Sequence, residues 1–207
     1  CSLIGGRGDG VAGYPMIVAM IAAVAAGVIC GMWNGFLVAK IKIQPMVVTL
    51  ILMVAGRGIA QLLTEGQIIT VYYAPFSYIG GNIPGNIIPS PIIIAILMIA
   101  LVVFILKKTS LGLFIQSVGI NPTASRYAGI NVALIIFLVY AFSGFCAGVS
   151  GLIESSLIRA ADANNAGLNM EMDAILAVAL GGTLLSGGKF YIGGSIIGAI
   201  TIQTLTT

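Results

Sequence analysis

The sequence predicts an all-α fold, a polytopic transmembrane helix bundle with about five to six membrane segments. Of its 207 residues, 59% are hydrophobic and 7% are charged, whereas soluble domains carry about 25% charged residues. The charges are separated by apolar stretches of roughly 20 residues, which is the length that a helix needs to cross the hydrocarbon core. Lipid is therefore the expected solvent for most of the chain.

Composition also excludes several classes of function. Histidine is absent, which removes the commonest general base and the commonest metal ligand. Cys1, Cys30 and Cys146 lie far apart and lack the paired spacing of a zinc site. The net charge of +3 comes without a basic stripe, so a nucleic-acid partner is not expected. We expect no metal, no cofactor and no catalytic residues, and we predict that the chain is not an enzyme.

Charged and turn-forming residues divide the chain into apolar segments. These are residues 14–39, 43–64 (between Lys42 and Glu65, interrupted by Arg57), 91–106, 131–153, 174–185 and 190–206. Residues 64–90 are rich in glycine and proline, which indicates a loop. Residues 174–185 would span only about 18 Å as a helix, which is too short for a full crossing. This segment either extends back through Met170, tilts, or enters and leaves the membrane on one side.

The basic residues predict which side of the membrane each connection faces, because Lys and Arg are enriched in cytoplasmic connections. The predicted cytoplasmic side carries Lys40, Lys42, Lys107, Lys108 and Arg126. Alternation of the spans places only two basic residues outside, Arg7 and Arg159, together with the acidic Glu65 and Asp162. The excess of basic residues fixes the predicted orientation.

Small residues recur at helical spacing in three of the apolar segments. The stripes are formed by Gly27, Gly31 and Gly35, by Ser143, Ala147 and Gly151 with Gly144 and Gly148 beside them, and by Gly194 and Gly198. In lipid the hydrophobic effect does not hold helices together, so small residues that let backbones approach stabilise a bundle. We predict five helix-packing glycines: Gly27, Gly31, Gly35, Gly144 and Gly148.

A short polar helix is predicted in the connection after the third span. Asn121 is a good N-cap, Pro122 suits the first helical position, and Gly129 suits the residue beyond the end. The helix covers residues 122–128 and presents Thr123, Ser125, Arg126 and Tyr127. It is either a docking element for a soluble partner or a plain interfacial connector.

Two groups of residues are candidates on the outer side. Arg57 lies well inside a predicted span, in the outer half, where its guanidinium can reach toward water. We interpret it as a structural pair or a membrane-surface anchor, with a role in a translocation path as the alternative. Arg159, Asp162, Asn164 and Asn165 form a polar cluster, which binds sugar hydroxyls or a soluble carrier, or else is a solvated loop.

Several motifs, taken together and in order, resemble one family of transporters. They are Trp33-Asn34-Gly35, Ile43-Gln44-Pro45, Arg57-Gly58, residues 118–130, Glu171-Met172-Asp173, Gly181-Gly182-Thr183 and Ser186-Gly187-Gly188. The sequence resembles the membrane permeases of bacterial ABC importers for monosaccharides, the ribose/galactose/galactofuranose family. Residues 158–167 are most similar to galactofuranose permeases.

The resemblance implies a single transmembrane permease domain over residues 1–207, incomplete at both ends, in the bacterial plasma (inner) membrane. It implies a second permease subunit, cytoplasmic ATP-binding subunits that hydrolyse ATP, an extracytoplasmic sugar-binding protein and a monosaccharide substrate. Residues 119–130 resemble the cytoplasmic coupling segment that contacts the ATPase.

Two other classes of function remain as alternatives. The first is an ATP-independent secondary transporter or channel, which a membrane-embedded carboxylate or an unwound helix would mark. The second is a purely structural membrane subunit.

Overall fold

A computed structural model describes residues 16–70, 80–81, 89–162, 165, 167–183, 187–188 and 191–206. The helices are α1 (Met16–Phe36), α2 (Pro45–Thr64), α3 (Ser90–Lys108), α4 (Ser110–Ile120), α5 (Pro122–Tyr127), α6 (Val132–Ile158), α7 (Met170–Leu180) and α8 (Ile192–Thr206). A π-helical turn, Leu37–Ile41, continues α1. Two-residue strands β1 (Ile69–Thr70) and β2 (Ala160–Ala161) pair antiparallel. The predicted all-α class is confirmed.

Four helices of the described ranges are long and apolar enough to cross a membrane. They are Ile17–Ile41, Pro45–Thr64, Ser90–Lys108 and Val132–Ile158. Many large apolar side chains on them are exposed, including Val54 at 70% and Leu62 at 80%. Exposed apolar surface on this scale indicates contact with lipid or with other membrane helices. The four long helices and their exposed apolar surface confirm the predicted membrane-protein class.

The long helices extend beyond several of the bounds that the sequence predicted. The third predicted span, 91–106, lies within Ser90–Lys108, and the fourth, 131–153, continues to Ile158. The end at residue 153 was wrong because it was placed at the first charge, Glu154. A charge near the membrane surface does not end a helix, since its side chain can reach water.

Helix α4 is missing from the sequence prediction, which treated residues 107–131 as a loop that held only the short polar helix. Its 11 residues cover about 16 Å, which is too short to cross a membrane. The signal was present, because residues 111, 114, 115 and 118 are apolar and have the i, i+3, i+4, i+7 spacing of one helical face.

The fifth predicted segment, 174–185, is also corrected. Helix α7 begins at Met170 and ends at Leu180, so the extension back through Met170 is the alternative that the structure contains. Gly182 has a φ of +74° just past the C-cap Gly181, a conformation in which glycine commonly ends helices.

The chain divides into two compact units. Unit 1 is Cys1–Ile99 with Ile136–Ala166, and unit 2 is Ala100–Ile135 with Gly167–Thr207. In unit 1, α1 and α6 meet through glycines. A Cβ built on Gly27 would lie 2.7 Å from the Gly144 carbonyl oxygen, and one on Gly148 would lie 3.1 Å from Val24 Cα. The two backbones are therefore in direct contact.

The predicted packing glycines, including Gly35, thus lie in the α1–α6 interface, whereas Gly151 of the stripe beside them does not. A Cβ on Gly35 would lie 3.0 Å from Tyr140 Cβ and 3.1 Å from Phe137 Cα. A Cβ on Gly151 would meet nothing within 4 Å. The contacts of α6 therefore run through Gly144 and Gly148, and Gly151 stands clear of them.

In unit 2, α7 and α8 form a tight hairpin. A Cβ on Gly181 would lie 2.5 Å from the Gly194 carbonyl carbon, and one on Gly198 would collide with the Ala177 carbonyl group. The Thr183 and Ser195 hydroxyls add a hydrogen bond of 3.3 Å. Backbone contact and a hydrogen bond together hold the two helices of this hairpin against each other.

Candidate functional site

Local hydrogen bonds cap the short helix α5 at both ends. Asn121 Oδ1 accepts hydrogen bonds from the backbone N–H groups of Thr123 at 3.0 Å and Ala124 at 3.1 Å, which satisfies donors that the helix itself leaves free. At the other end, Gly129 has a φ of +83°, and the Ile130 N–H donates to the Ser125 carbonyl at 3.0 Å. This pairing is that of a Schellman motif.

Most of the residues predicted to be presented by α5 are exposed, and one is not. Tyr127 is 89% exposed, and Thr123 and Arg126 are exposed as well. Ser125 is only 5% exposed, and its Oγ donates to the Asn121 carbonyl at 3.0 Å. The prediction that Ser125 faces solvent was wrong, because its hydroxyl bonds back to the preceding turn.

Helices α4 and α5 share one residue as a joint. Asn121 is the C-cap of α4 and the N-cap of α5. Its N–H donates to the Ser117 carbonyl at 3.1 Å, while its side chain caps the next helix. Asn121 is therefore the single residue between the two helices.

The cap gives a direct prediction for α5. Asn121→Ala removes the acceptor for two backbone N–H groups and should destabilise the helix by about 1 kcal/mol. Amide hydrogen exchange of residues 123–128 is then expected to be faster than in the parent protein. Asn121→Asp keeps an acceptor oxygen and serves as the control. Equal exchange in the alanine variant and the parent would contradict the capping role.

One end of unit 1 is ordered by polar contacts that the sequence analysis missed. Ser156 is 1% exposed, and its Oγ accepts a hydrogen bond of 2.8 Å from the Gly80 N–H. Ser90 Oγ donates to the Gly81 carbonyl at 2.7 Å. With the β1–β2 pair, these bonds connect the ends of α2 and α6 with the start of α3. A serine in a mainly apolar helix gives no sequence signal of a partner 76 residues away.

The structure brings together only part of the predicted outer cluster. Asp162 accepts hydrogen bonds from Asn165, at 3.3 Å from the backbone N–H and 2.7 Å from Nδ2. Arg159 is exposed and has a φ of +54°, and Asn164 lies outside the described residues. The Asp162–Asn165 pair is a local turn, and its bonds hold the loop in place.

Arg57 lies apart from that cluster. It is half-buried and seven residues before the end of α2, which corresponds to about 10 Å along the helix. A Cβ on either neighbouring glycine, Gly56 or Gly58, would meet nothing within 4 Å. This surface of α2 therefore has room for a neighbouring helix.

Unit 1 also contains an apolar groove of about 500 Å³ between α1, α3 and α6, lined by residues such as Met20, Val24, Ile94 and Val149. All of its lining residues are apolar. A sugar needs hydrogen-bond partners for its hydroxyl groups, so the groove does not suit one.

Among the buried side-chain polar atoms of the described residues, Asn34 Oδ1 has no hydrogen-bond partner, and the sequence did not predict this.

Labelling of single cysteines tests the predicted orientation. In a full-length background without Cys1, Cys30 and Cys146, an impermeant maleimide applied to intact cells should modify Glu65→Cys and Asp162→Cys. Lys107→Cys and Arg126→Cys should react only after the membrane is opened. Glu65, Lys107 and Arg126 are exposed, so accessibility of the side chain is not the limit. Labelling at position 107 in intact cells would overturn the topology.

Comparison with known proteins places the chain in a family. The profile of the family described as "branched-chain amino acid transport system / permease component" matches residues 8–207. The chain belongs to this permease family. Its helices and apolar surface are what such a membrane component needs.

Several relatives of this permease chain have names that contain the name of a sugar. It is 49% identical over 95% of its length to the galactofuranose transporter permease protein YtfT of Escherichia coli strain K12. It is 41% identical over 93% to the fructose import permease protein FruF of Bifidobacterium longum strain NCC 2705. It is 38% identical over 92% to the ribose import permease protein RbsC of Haemophilus influenzae.

The permease chain spans part of the length of these relatives, covering 58%, 55% and 60% of them respectively. No solved structure matches it. The predicted resemblance to sugar permeases is confirmed at the level of the family and of these relatives.

Proposed function

We propose that this chain forms part of the membrane permease subunit of an ABC importer that carries a monosaccharide across the bacterial plasma membrane. The observation that carries the proposal is the 49% identity to a galactofuranose transporter permease over 95% of the chain. Hydrolysis of ATP belongs to separate cytoplasmic subunits, because the chain carries no phosphate-binding loop. Around Lys189, the position six residues earlier is Thr183 and the next is Phe190, where that loop needs Gly and Ser or Thr.

Residues 119–130 are proposed as the segment that couples the permease to its ATPase. The geometry that supports this role is a short helix capped at both ends and joined to α4 without a linker. Arg126 offers a fixed charge, and Tyr127, 89% exposed, offers a rigid apolar ring with a polar tip. A connector that only crossed the interface would not need an exposed tip on a capped helix.

The remaining partners follow from the same proposal. A second permease subunit completes the translocation path, and an extracytoplasmic sugar-binding protein delivers the monosaccharide to the outer side. The hydrogen bond between Gly80 and Ser156 and the β1–β2 strand pair lie at the end of unit 1 that we propose this protein contacts. Arg57, Arg159, Asp162, Asn164 and Asn165 stay candidates for the path or its outer gate.

An ATP-independent secondary transporter is the competing function. Coupling to an ion usually requires a carboxylate within the membrane. In the described residues of the four long helices the acidic residue is Glu154, which lies in the last turns of α6. This position near the helix end argues against the competing function.

Reconstitution of the full-length permease tests the proposal. Proteoliposomes that contain the permease and its ATPase, with the binding protein outside, should accumulate labelled galactofuranose, ribose or fructose only when ATP is enclosed. A catalytically inactive ATPase is the control and should abolish accumulation. Uptake driven by an ion gradient without ATP would contradict the proposal and favour the secondary transporter.

A further inference from the structure

The turn between α7 and α8 touches the last turn of α4, within unit 2. A Cβ built on Gly119 would lie 3.0 Å from the Gly188 backbone nitrogen, and one on Gly187 would lie 2.9 Å from the Gly119 carbonyl oxygen. A Cβ on Gly188 would lie 3.2 Å from Ile120 Cγ1. At Gly119 and Gly187, backbone therefore meets backbone with no side chain between them.

The turn can make this contact only with glycine. Gly187 and Gly188 have φ values of +92° and +104°, a region that L side chains rarely adopt. A side chain at Gly187 would face two penalties at once, a strained backbone and a collision with Gly119. Gly187 carries both constraints, whereas Gly188 carries the positive φ and a contact with the Ile120 side chain.

Both partners in the contact adjoin closely packed elements. Gly119 lies two residues before Asn121, which joins α5 to α4. Gly187 and Gly188 lie between α7 and α8, which are in contact through Gly181–Gly194 and Ala177–Gly198. Packed contacts between secondary-structure elements can carry coupling between distant parts of a protein.

We propose that the Gly187–Gly188 turn is a positioning contact through which a displacement of α5 moves the α7–α8 hairpin. The inference rests on the proposed coupling role of residues 119–130 and names the route by which that segment acts. Transmission only along the chain into α6, through Ile130 and Asn131, is the competing route.

Gly187→Ala in the full transporter separates the two routes, with Gly182→Ala as the matched control. Gly182 lies at the same end of α7 and also has a positive φ, +74°, but a Cβ there would meet nothing within 4 Å. We expect sugar uptake per ATP hydrolysed to fall about threefold to tenfold in Gly187→Ala. Gly182→Ala should stay within about twofold of the parent, since it carries the backbone strain alone.

A disulfide tests the same contact by a second route, in which Gly188→Cys carries the backbone strain of a φ of +104°. A Cβ on Gly188 would lie 3.9 Å from Ile120 Cα, which is within reach of a disulfide. In a background lacking the native cysteines, Ile120→Cys with Gly188→Cys should cross-link with and without bound ATP, and the cross-linked transporter should retain uptake. Ile120→Cys with Gly182→Cys is the control and should stay reduced.

The outcomes separate this inference from the proposed function. In one outcome, Arg126→Glu loses stimulated ATP hydrolysis while Gly187→Ala couples normally. This outcome overturns the proposed role of the contact and leaves the coupling role of residues 119–130 intact. Normal stimulation in both Arg126→Glu and Tyr127→Ala removes the coupling role itself. Absence of the cross-link, a cross-link in only one nucleotide state, or loss of uptake on cross-linking also overturns the contact, whether or not Gly187→Ala assembles.

Discussion

Gly31→Leu is expected to prevent assembly of the permease in its folded form. A Cβ on Gly31 would already lie 2.5 Å from the Tyr140 carbonyl oxygen and 2.9 Å from Gly144 Cα. Both neighbours are backbone atoms, so no side chain can turn aside to make room. A leucine there must force α1 and α6 apart, and overpacking of a tight interface costs about 1–3 kcal/mol or more. In lipid, the loss of close backbone approach also removes the main source of helix association.

The measurement is the yield of full-length protein that elutes as a single peak in detergent, together with its apparent Tm. Gly151→Leu is the matched control, because it makes the same change on α6 where a Cβ would meet nothing within 4 Å. We expect Gly151→Leu to give a yield close to that of the parent and Gly31→Leu to give little folded protein. Equal yields and Tm values for the two variants would show that the glycine contact does not hold the helices together.

The difference between Gly151 and Gly144 marks a limit of prediction from sequence. Spacing of small residues identifies a face of each helix. It does not fix how far a helix rotates about its own axis, because that angle depends on the partner helix. Ser143, Ala147 and Gly151 formed a good stripe by spacing, yet the contact to α1 runs through Gly144 and Gly148.

Helix α5 was predictable because its signals are local. Asn121, Pro122 and Gly129 each act within four residues, and the structure places a cap, a first turn and a C-terminal glycine at these positions. Helix α4 was missed because residues 107–131 were assigned as a loop on the basis of their charges, and the apolar spacing within the segment was overlooked. The charge-based boundaries failed in the same way at α6, where Glu154 lies inside the helix.

The pairing of distant segments could not be predicted from the sequence. Gly119 and Gly188 are 69 residues apart, and Gly80 and Ser156 are 76 apart. Each residue alone is an ordinary glycine or serine, and only the folded backbone brings the pairs together. The polar order near Ser156 and the α4 contact of the α7–α8 turn could therefore be found only in the structure.

Arg126→Glu is expected to uncouple the transporter without unfolding it. Arg126 is exposed on a helix that is held by its own caps, so a charge reversal leaves the hydrogen bonds of α5 in place. If α5 docks into the ATPase, the reversal replaces an attractive contact with a repulsive one, and like charges at an interface cost several kcal/mol. Sugar uptake and the stimulation of ATP hydrolysis by loaded binding protein should both fall about tenfold or more.

The decisive assay is ATP hydrolysis by the reconstituted full complex, with and without loaded binding protein. Lys108→Glu is the matched control, since it reverses another exposed basic residue on the same predicted side but lies at the end of a different helix, α3. Tyr127→Ala tests the apolar part of that tip and should weaken stimulation in the same direction. Binding-protein docking should persist in all three variants, because it depends on the outer surface. Undiminished stimulation in both Arg126→Glu and Tyr127→Ala would remove α5 from the coupling mechanism, and would leave the interfacial connector as its role.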